Sequence, residues 1–288
     1  MATKKTYVVA VREPESGRIA LQRAGLLSAP GDRIVLAHVP TAALLSLLGA
    51  GEMRRAAPDL SLADATRVEW LDELAAAATA GTRAVDAIVL EGRPAPAICN
   101  LARRLDAAAI VVGTHRAGNV REFVLGSTAL RILRQAPCPV LVARSASTAS
   151  YRNVLAAAAT DPVGRRVVTT AHRLFPDAAM TVLSVYRVGG EGQMRAHGVP
   201  EAQIADMREE ARRDALHRLE WLHAFAPGAK LDLREGFAAT GILEAVAAHS
   251  PDVLVISRHR GSAADEHVLG SVTQFALYHA DCDLLLVP

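Results

Sequence analysis

The residues best suited to chemistry lie in two stretches rich in glycine, arginine and hydroxyl groups, each following a short apolar run. The first begins Gly113-Thr-His115-Arg116 and leads to Gly126-Ser127-Thr128; the second begins Ser257-Arg-His259-Arg260 and leads to Gly270-Ser271-Val272-Thr273. A glycine at a strand end lets main-chain N–H groups come close to a phosphate, and a Gly-Ser pair opening a helix offers a hydroxyl beside amides that no helical carbonyl reaches. Each stretch has the parts of a phosphate cradle. Gly113 to Gly118 also has Walker-type glycine spacing, but Asn119 and Val120 stand where a P-loop carries Lys and Ser or Thr, which excludes a P-loop NTPase. The signatures of common dehydrogenases, α/β-hydrolases and zinc proteases are absent as well. No residue presents itself as a general base or magnesium ligand, so no catalytic residue is assigned and any turnover is limited to weak ATP hydrolysis.

The histidines of the two stretches, His115 and His259, stand at matching places and suit either a phosphate or ribose contact or a solvated loop. His259 and His267 lack a carboxylate or cysteine at ligand spacing, so no metal is expected. Cys99, Cys138 and Cys282 are too few for a disulfide framework and form no Cys-x-x-Cys pair, which fits a reducing, cytoplasmic setting. Cys138 and Cys282 are expected as packed thiols in closing strands.

What must position these residues follows from the rest of the chain. With 288 residues, 51% of them hydrophobic, and 32 basic against 30 acidic side chains, the chain has ample core and no field to draw nucleic acid or an anionic membrane. No stretch of some 18 uninterrupted apolar residues exists, so no membrane span is expected. An offset of 144 positions lays His115-Arg116 on His259-Arg260, Glu122 on Glu266 and Val124-Leu-Gly-Ser127 on Val268-Leu-Gly-Ser271. Gly92 falls on Gly236 and Cys138 on Cys282 at the same offset. A period this long is a whole domain. Short apolar runs at 7–11, 34–39, 87–90, 110–112 and 140–143, and at 154–159, 180–186, 231–233, 253–256 and 284–287, predict five strands per copy. Runs apolar on both faces predict a parallel sheet covered by helices on both sides, an α/β fold.

The longest helix of each copy is expected between its second and third strands. In the second copy it carries an apolar stripe of Ile204, Met207, Ala211, Ala215, Leu219 and Leu222, with Met207 and Trp221 expected in the core. Glu209/Arg213 and Asp214/Arg218 are expected as i,i+4 pairs. The Ser/Ala/Thr-rich stretch 144–151 reads as a linker, giving domains 1–146 and 151–288.

Taken together, the Leu90-Glu91-Gly92 strand end, the Ile-Val-Val-Gly113 loop, the Leu-Gly-Ser helix starts and the closing Ala136-Pro-Cys138-Pro-Val-Leu-Val142 resemble the universal stress protein family, over nearly the whole chain. The resemblance implies two tandem Rossmann-like domains, each a five-stranded parallel sheet, paired within the chain as a pseudo-dimer that is either monomeric or dimerises again. It also implies a role in stress resistance and dormancy. One branch of the family binds ATP or AMP, with Mg only alongside ATP, through Gly, two residues, Gly, nine residues, then Gly-Ser or Gly-Thr. Here the spacing is intact, but Arg116 and Arg260 replace the second glycine, and Ser257 replaces the first glycine in the second half. The aspartate that meets adenine or ribose in nucleotide binders matches Asp161, whereas Arg12 stands in its place in the first half. Two readings stay open. Either the arginines block the phosphates and the chain is a scaffold acting through protein partners or another small ligand, or they grip the phosphates as bidentate donors. On the second reading the nucleotide site comprises Gly113, His115, Arg116, Gly126, Ser127 and Thr128 in the first half. In the second it comprises Asp161, His259, Arg260, Gly270, Ser271, Val272 and Thr273.

Overall fold

A computed structural model describes residues 4–40, 69–78, 84–116, 123–144, 149–159, 162–258 and 269–288. The chain divides into two compact units, Met1–Ser150 and Tyr151–Val287. In the first, β1 (Thr6–Val11), α1 (Pro14–Leu27), β2 (Arg33–His38), α2 (Glu69–Ala78), β3 (Ala84–Val89), α3 (Pro94–Arg104) and β4 (Ala109–Gly113) alternate. The two-residue strands β5 (His115–Arg116) and β6 (Phe123–Val124) follow, then α4 (Ser127–Gln135) and β7 (Val140–Ala143). The second unit runs β8 (Asn153–Ala157), α5 (Pro162–Leu174), β9 (Ala179–Tyr186), α6 (Glu191–Ala196), α7 (Glu201–His223) and β10 (Lys230–Glu235). It closes with α8 (Ala238–His249), β11 (Val253–Ser257), α9 (Ser271–His279) and β12 (Asp283–Val287).

Each unit builds a five-stranded parallel sheet, β3-β2-β1-β4-β7 in the first and β10-β9-β8-β11-β12 in the second. The central strands explain why. The first four residues of β4 (Ala-Ile-Val-Val) and of β11 (Val-Leu-Val-Ile) are all buried, as a strand with helices on both faces requires. Each such Val, Leu or Ile contributes about 1.5–3 kcal/mol by leaving water. Proline opens α1, α3 and α5, where its missing N–H costs nothing and its fixed φ suits a first turn. Aspartates pin the amino edges of the sheets. Asp32 accepts from the main-chain N–H groups of Lys5 and Ala29 at 2.9 Å each, and Asp252 accepts from those of Arg152 and Asn153 at 2.7 and 2.8 Å.

Several sequence expectations need correction. The strand at 87–90 is Ala84–Val89, and that at 231–233 is Lys230–Glu235. The long helix α7 does bury Ile204, Ala215, Leu219 and Leu222, but Met207 is only half-buried and Trp221 is 47% exposed. Trp221 sits one residue before Leu222, rotated about 100° off the buried stripe, and lies edge-on to Phe225 at 5.1 Å instead. Glu209 pairs with Arg212 at 3.4 Å rather than with Arg213, whose Nε donates to the Glu209 carbonyl; Asp214 and Arg218 do pair, at 3.7 Å. Cys138 and Cys282 lie in the turns before β7 and β12, half-buried, because the strands begin only at Val140 and Asp283. In the first unit the connection between β2 and β3 is described only as α2, so its remaining helical expectation lies outside the described residues.

The repeated Gly92 and Gly236 lie in the turns that follow β3 and β10, at φ of +97° and +135°, with no described atom within 4 Å of an added Cβ. The glycine is needed for conformation alone. Gly92→Ala and Gly236→Ala are each expected to cost about 1–2 kcal/mol, read as a lower urea midpoint.

Candidate functional site

In a doubly wound parallel sheet the strands leave at one edge, and a crevice opens where the direction of winding reverses. That point lies between β1 and β4 in the first unit and between β8 and β11 in the second. The structure brings Gly113 and the α4 start to this edge in the first unit, and Ser257 and the α9 start in the second.

At the β4 exit, a Cβ on Gly113 would stand 2.5 Å from the Ser16 carbonyl oxygen in the first turn of α1. This glycine is therefore already required by the protein's own packing. The next residue, Thr114, is buried and ties the loop to β7: its N–H and hydroxyl both donate to the Ala143 carbonyl, at 3.1 and 3.2 Å. Nothing in the local sequence pattern of Ser16 or Thr114 sets either apart from a surface hydroxyl, so neither place is legible in the sequence. Beyond Thr114, His115 and Arg116 form β5 and pair antiparallel with Val124 and Phe123. The main chain of Arg116 is thus extended, and no left-handed conformation is demanded of it. The replacement of glycine by Arg116 therefore carries no penalty from positive φ. The side chains of His115 and Arg116 lie outside what the structure describes, as do Asp161, His259 and Arg260 altogether.

At the second exit the corresponding strand end is held differently. The Arg258 N–H donates to the Val287 carbonyl at 2.7 Å, and the Gly270 N–H to the Arg258 carbonyl at 3.1 Å. The buried Thr273 hydroxyl donates to the Ser257 carbonyl at 2.8 Å, which staples the first turn of α9 to β11. Ala129 occupies the matching place in the first unit, so this staple belongs to the second unit alone. Thr273 acts here as a structural donor.

Both helix starts have the same form. Gly126 and Gly270 cap α4 and α9 in extended backbone, at φ of −63° and −58°, which any residue adopts. No described atom lies within 4 Å of a Cβ on Gly126, and only two oxygens, at 3.6 and 3.7 Å, lie near one on Gly270. Neither local conformation nor described packing calls for glycine at these caps. The first helical bonds are those of Leu130 to Gly126 (3.0 Å) and Gln274 to Gly270 (2.9 Å). The N–H groups of Ser127, Thr128 and Ala129, and of Ser271, Val272 and Thr273, thus have no partner within their helices. With the helix dipole behind them they favour an anion. Ser127 and Ser271 are exposed; Thr128 and Val272 are half-buried.

His38 is a further polar group at this edge that sequence reasoning missed; its signal was a lone polar residue ending an apolar strand. It is buried at the end of β2, its Nδ1–H donates to the Val11 carbonyl at 2.9 Å, and its ring meets Trp70 edge-on at 5.1 Å. Among the described residues Nε2 is buried without a hydrogen-bond partner. Burial lowers the imidazole pKa below its ordinary 6.5, and the bond to Val11 opposes this only in part. Among the described residues no group of three His, Cys, Asp or Glu side chains is placed to hold a metal, and no helix is long and apolar enough to cross a membrane.

The model of the Universal stress protein family matches residues 4–144 and again 150–288. The chain belongs to this family, in tandem form. The "Universal stress protein in QAH/OAS sulfhydrylase 3'region" of Thermus aquaticus is 41% identical over 80 residues, 27% of this chain; the match spans 58% of that relative's length. Among solved structures, a universal stress protein from Archaeoglobus fulgidus covers 99% of both chains at 13% identity, with a TM-score of 0.68. A putative universal stress protein from Pseudomonas aeruginosa covers 99% of this chain and 93% of its own at 17% identity, with a TM-score of 0.63. These establish the universal stress protein fold over the full length of the chain.

Two outcomes follow. Thr273→Val removes a buried donor from the Ser257 carbonyl and is expected to destabilise the chain by about 1–3 kcal/mol in urea unfolding. As pH falls below about 6.5, the unfolded chain protonates at His38 before the folded one, so this group's contribution is full above that value and declines through it. The stability difference between pH 7.5 and 5.5 is therefore expected to shrink in His38→Asn, measured by urea unfolding at both pH values.

Proposed function

We propose that this tandem universal stress protein is a stress-response binding module that takes up an adenine nucleotide at the carboxyl edge of its sheets, without turnover. One observation carries the reading: two glycine-capped helix starts whose glycines neither backbone conformation nor described packing requires, each presenting a serine and three first-turn amides. A cap kept free of Cβ suits the close approach of a phosphate. Arg116 and Arg260 then serve as guanidinium donors to the phosphates, and Asp161 meets the base or sugar. The extended main chain of Arg116 supports this role, because the replacement of glycine carries no conformational cost there. His115 and His259 flank the phosphates, and Mg accompanies ATP only.

A second reading, a scaffold without nucleotide, has its own support. Gly113 is explained by its contact with Ser16, and the Thr273 hydroxyl is already engaged. Calorimetric titration of the full chain with AMP and ATP separates the two. The nucleotide reading expects saturable heat, weakened about tenfold, or about 1.4 kcal/mol, in the Arg116→Gly/Arg260→Gly double variant. Absence of heat at millimolar nucleotide, or tighter binding once the arginines are glycine, overturns it in favour of the scaffold.

A further inference from the structure

Outside the crevice between β1 and β4, the first unit has a second cleft, of about 360 Å³, between α3 and α4. Arg93 at the N-cap of α3, Pro94 beside it, and Thr128, Arg131 and Gln135 along α4 line it. No residue of β1, β4 or α1 takes part. Arg93 and Arg131 are both exposed, and among the described residues neither guanidinium makes a hydrogen bond or an ion pair. Two guanidinium groups thus border one cleft, and among the described residues that line it there is no carboxylate.

The duplicated unit provides an internal control. At the 144-residue offset Phe237 stands for Arg93, Val272 for Thr128, Phe275 for Arg131 and His279 for Gln135. The places correspond in structure too: Phe237 caps α8 as Arg93 caps α3, and Phe275 is the fifth residue of α9 as Arg131 is of α4. The same helix pair therefore forms with aromatic residues at both places, so its packing does not select arginine. What the first unit has and the second lacks is a pair of planar, permanently charged forks. Their geometry fits the paired oxygens of a phosphate, and the Thr128 hydroxyl adds a neutral donor between them in sequence.

We propose that the α3/α4 groove of the first unit is a binding site for a small phosphorylated anion, held by Arg93 and Arg131 with Thr128 as a third contact. The volume is at the lower end of small-molecule sites and suits a ligand the size of a sugar phosphate rather than a whole nucleotide. The groove stands apart from the nucleotide reading, with which it shares only Thr128, there through its main-chain N–H and here through its side chain.

Inorganic pyrophosphate serves as the probe, titrated calorimetrically into the full chain with and without saturating AMP. Wild type is expected to give saturable heat below about 10 mM that persists in AMP, and Arg93→Gln/Arg131→Gln is expected to weaken it about tenfold or more. Arg93→Lys/Arg131→Lys keeps the charge without the fork and is expected to fall between the two. Circular dichroism of each variant, with both positions exposed, confirms that the fold is kept. The proposal is overturned if wild type gives no heat, if AMP abolishes it, or if the glutamine variant binds as wild type does. AMP binding itself can fail without touching this result, since the groove's heat is assigned by the arginine variants.

Discussion

The parallel ladder between β1 and β4, and its counterpart between β8 and β11, is the constraint on which each unit depends. Val8 pairs with Ile110 and Val9 with Val111, and all four side chains are excluded from solvent. In the second unit Val154 pairs with Val253 and Leu155 with Leu254, equally buried. Buried main-chain groups must find partners, and only an in-register ladder supplies them all. Parallel pairing then forces every connection to cross over as a helix, so all strand exits share one edge. That edge is where the glycine-capped helix starts, the β5–β6 pairing and His38 come together.

Within this frame the two copies have kept the scaffold and changed the fittings. In the first unit, Gly113 lets β4 run close against α1, and Thr114 secures the loop to β7. In the second, Ser257 stands in place of that glycine, and Thr273 reaches back to its carbonyl. The α3/α4 groove of the first unit carries arginines where α8 and α9 carry phenylalanines, one of which, Phe237, is 64% exposed and lies under the Arg187 guanidinium at 4.6 Å. Substitutions of this kind leave the ladder untouched, which is why one fold tolerates both sets.

Much of the fold was legible in the chain itself, because periodicity reflects burial. Strands apolar on both faces announced the covered parallel sheet, and the 144-residue offset announced its duplication. The stripe from Ile204 to Leu222 marked α7. Where the reading failed, the reason was local. Trp221 was placed in the core along with the helical apolar stripe, but it sits beside the stripe rather than on it. Glu209 had two arginines within reach, and side-chain geometry chose Arg212. The turns holding Cys138 and Cys282 were absorbed into strands because each lies within two residues of the apolar run that follows it.

The sequence by itself determined the α/β class, the tandem repeat and the family, and singled out two loops as candidate sites, since each is written in patterns of residue type and spacing. Only the tertiary structure decided what individual residues at those loops do. Gly113 proved to be spoken for by Ser16, Thr273 by Ser257, and Arg116 to lie in extended backbone; His38 emerged as a buried, half-satisfied imidazole. The reason is physical. Burial and hydrogen bonding at an edge depend on residues far apart in the chain, 97 positions in the case of Ser16 and Gly113, and no local pattern encodes which of them meet.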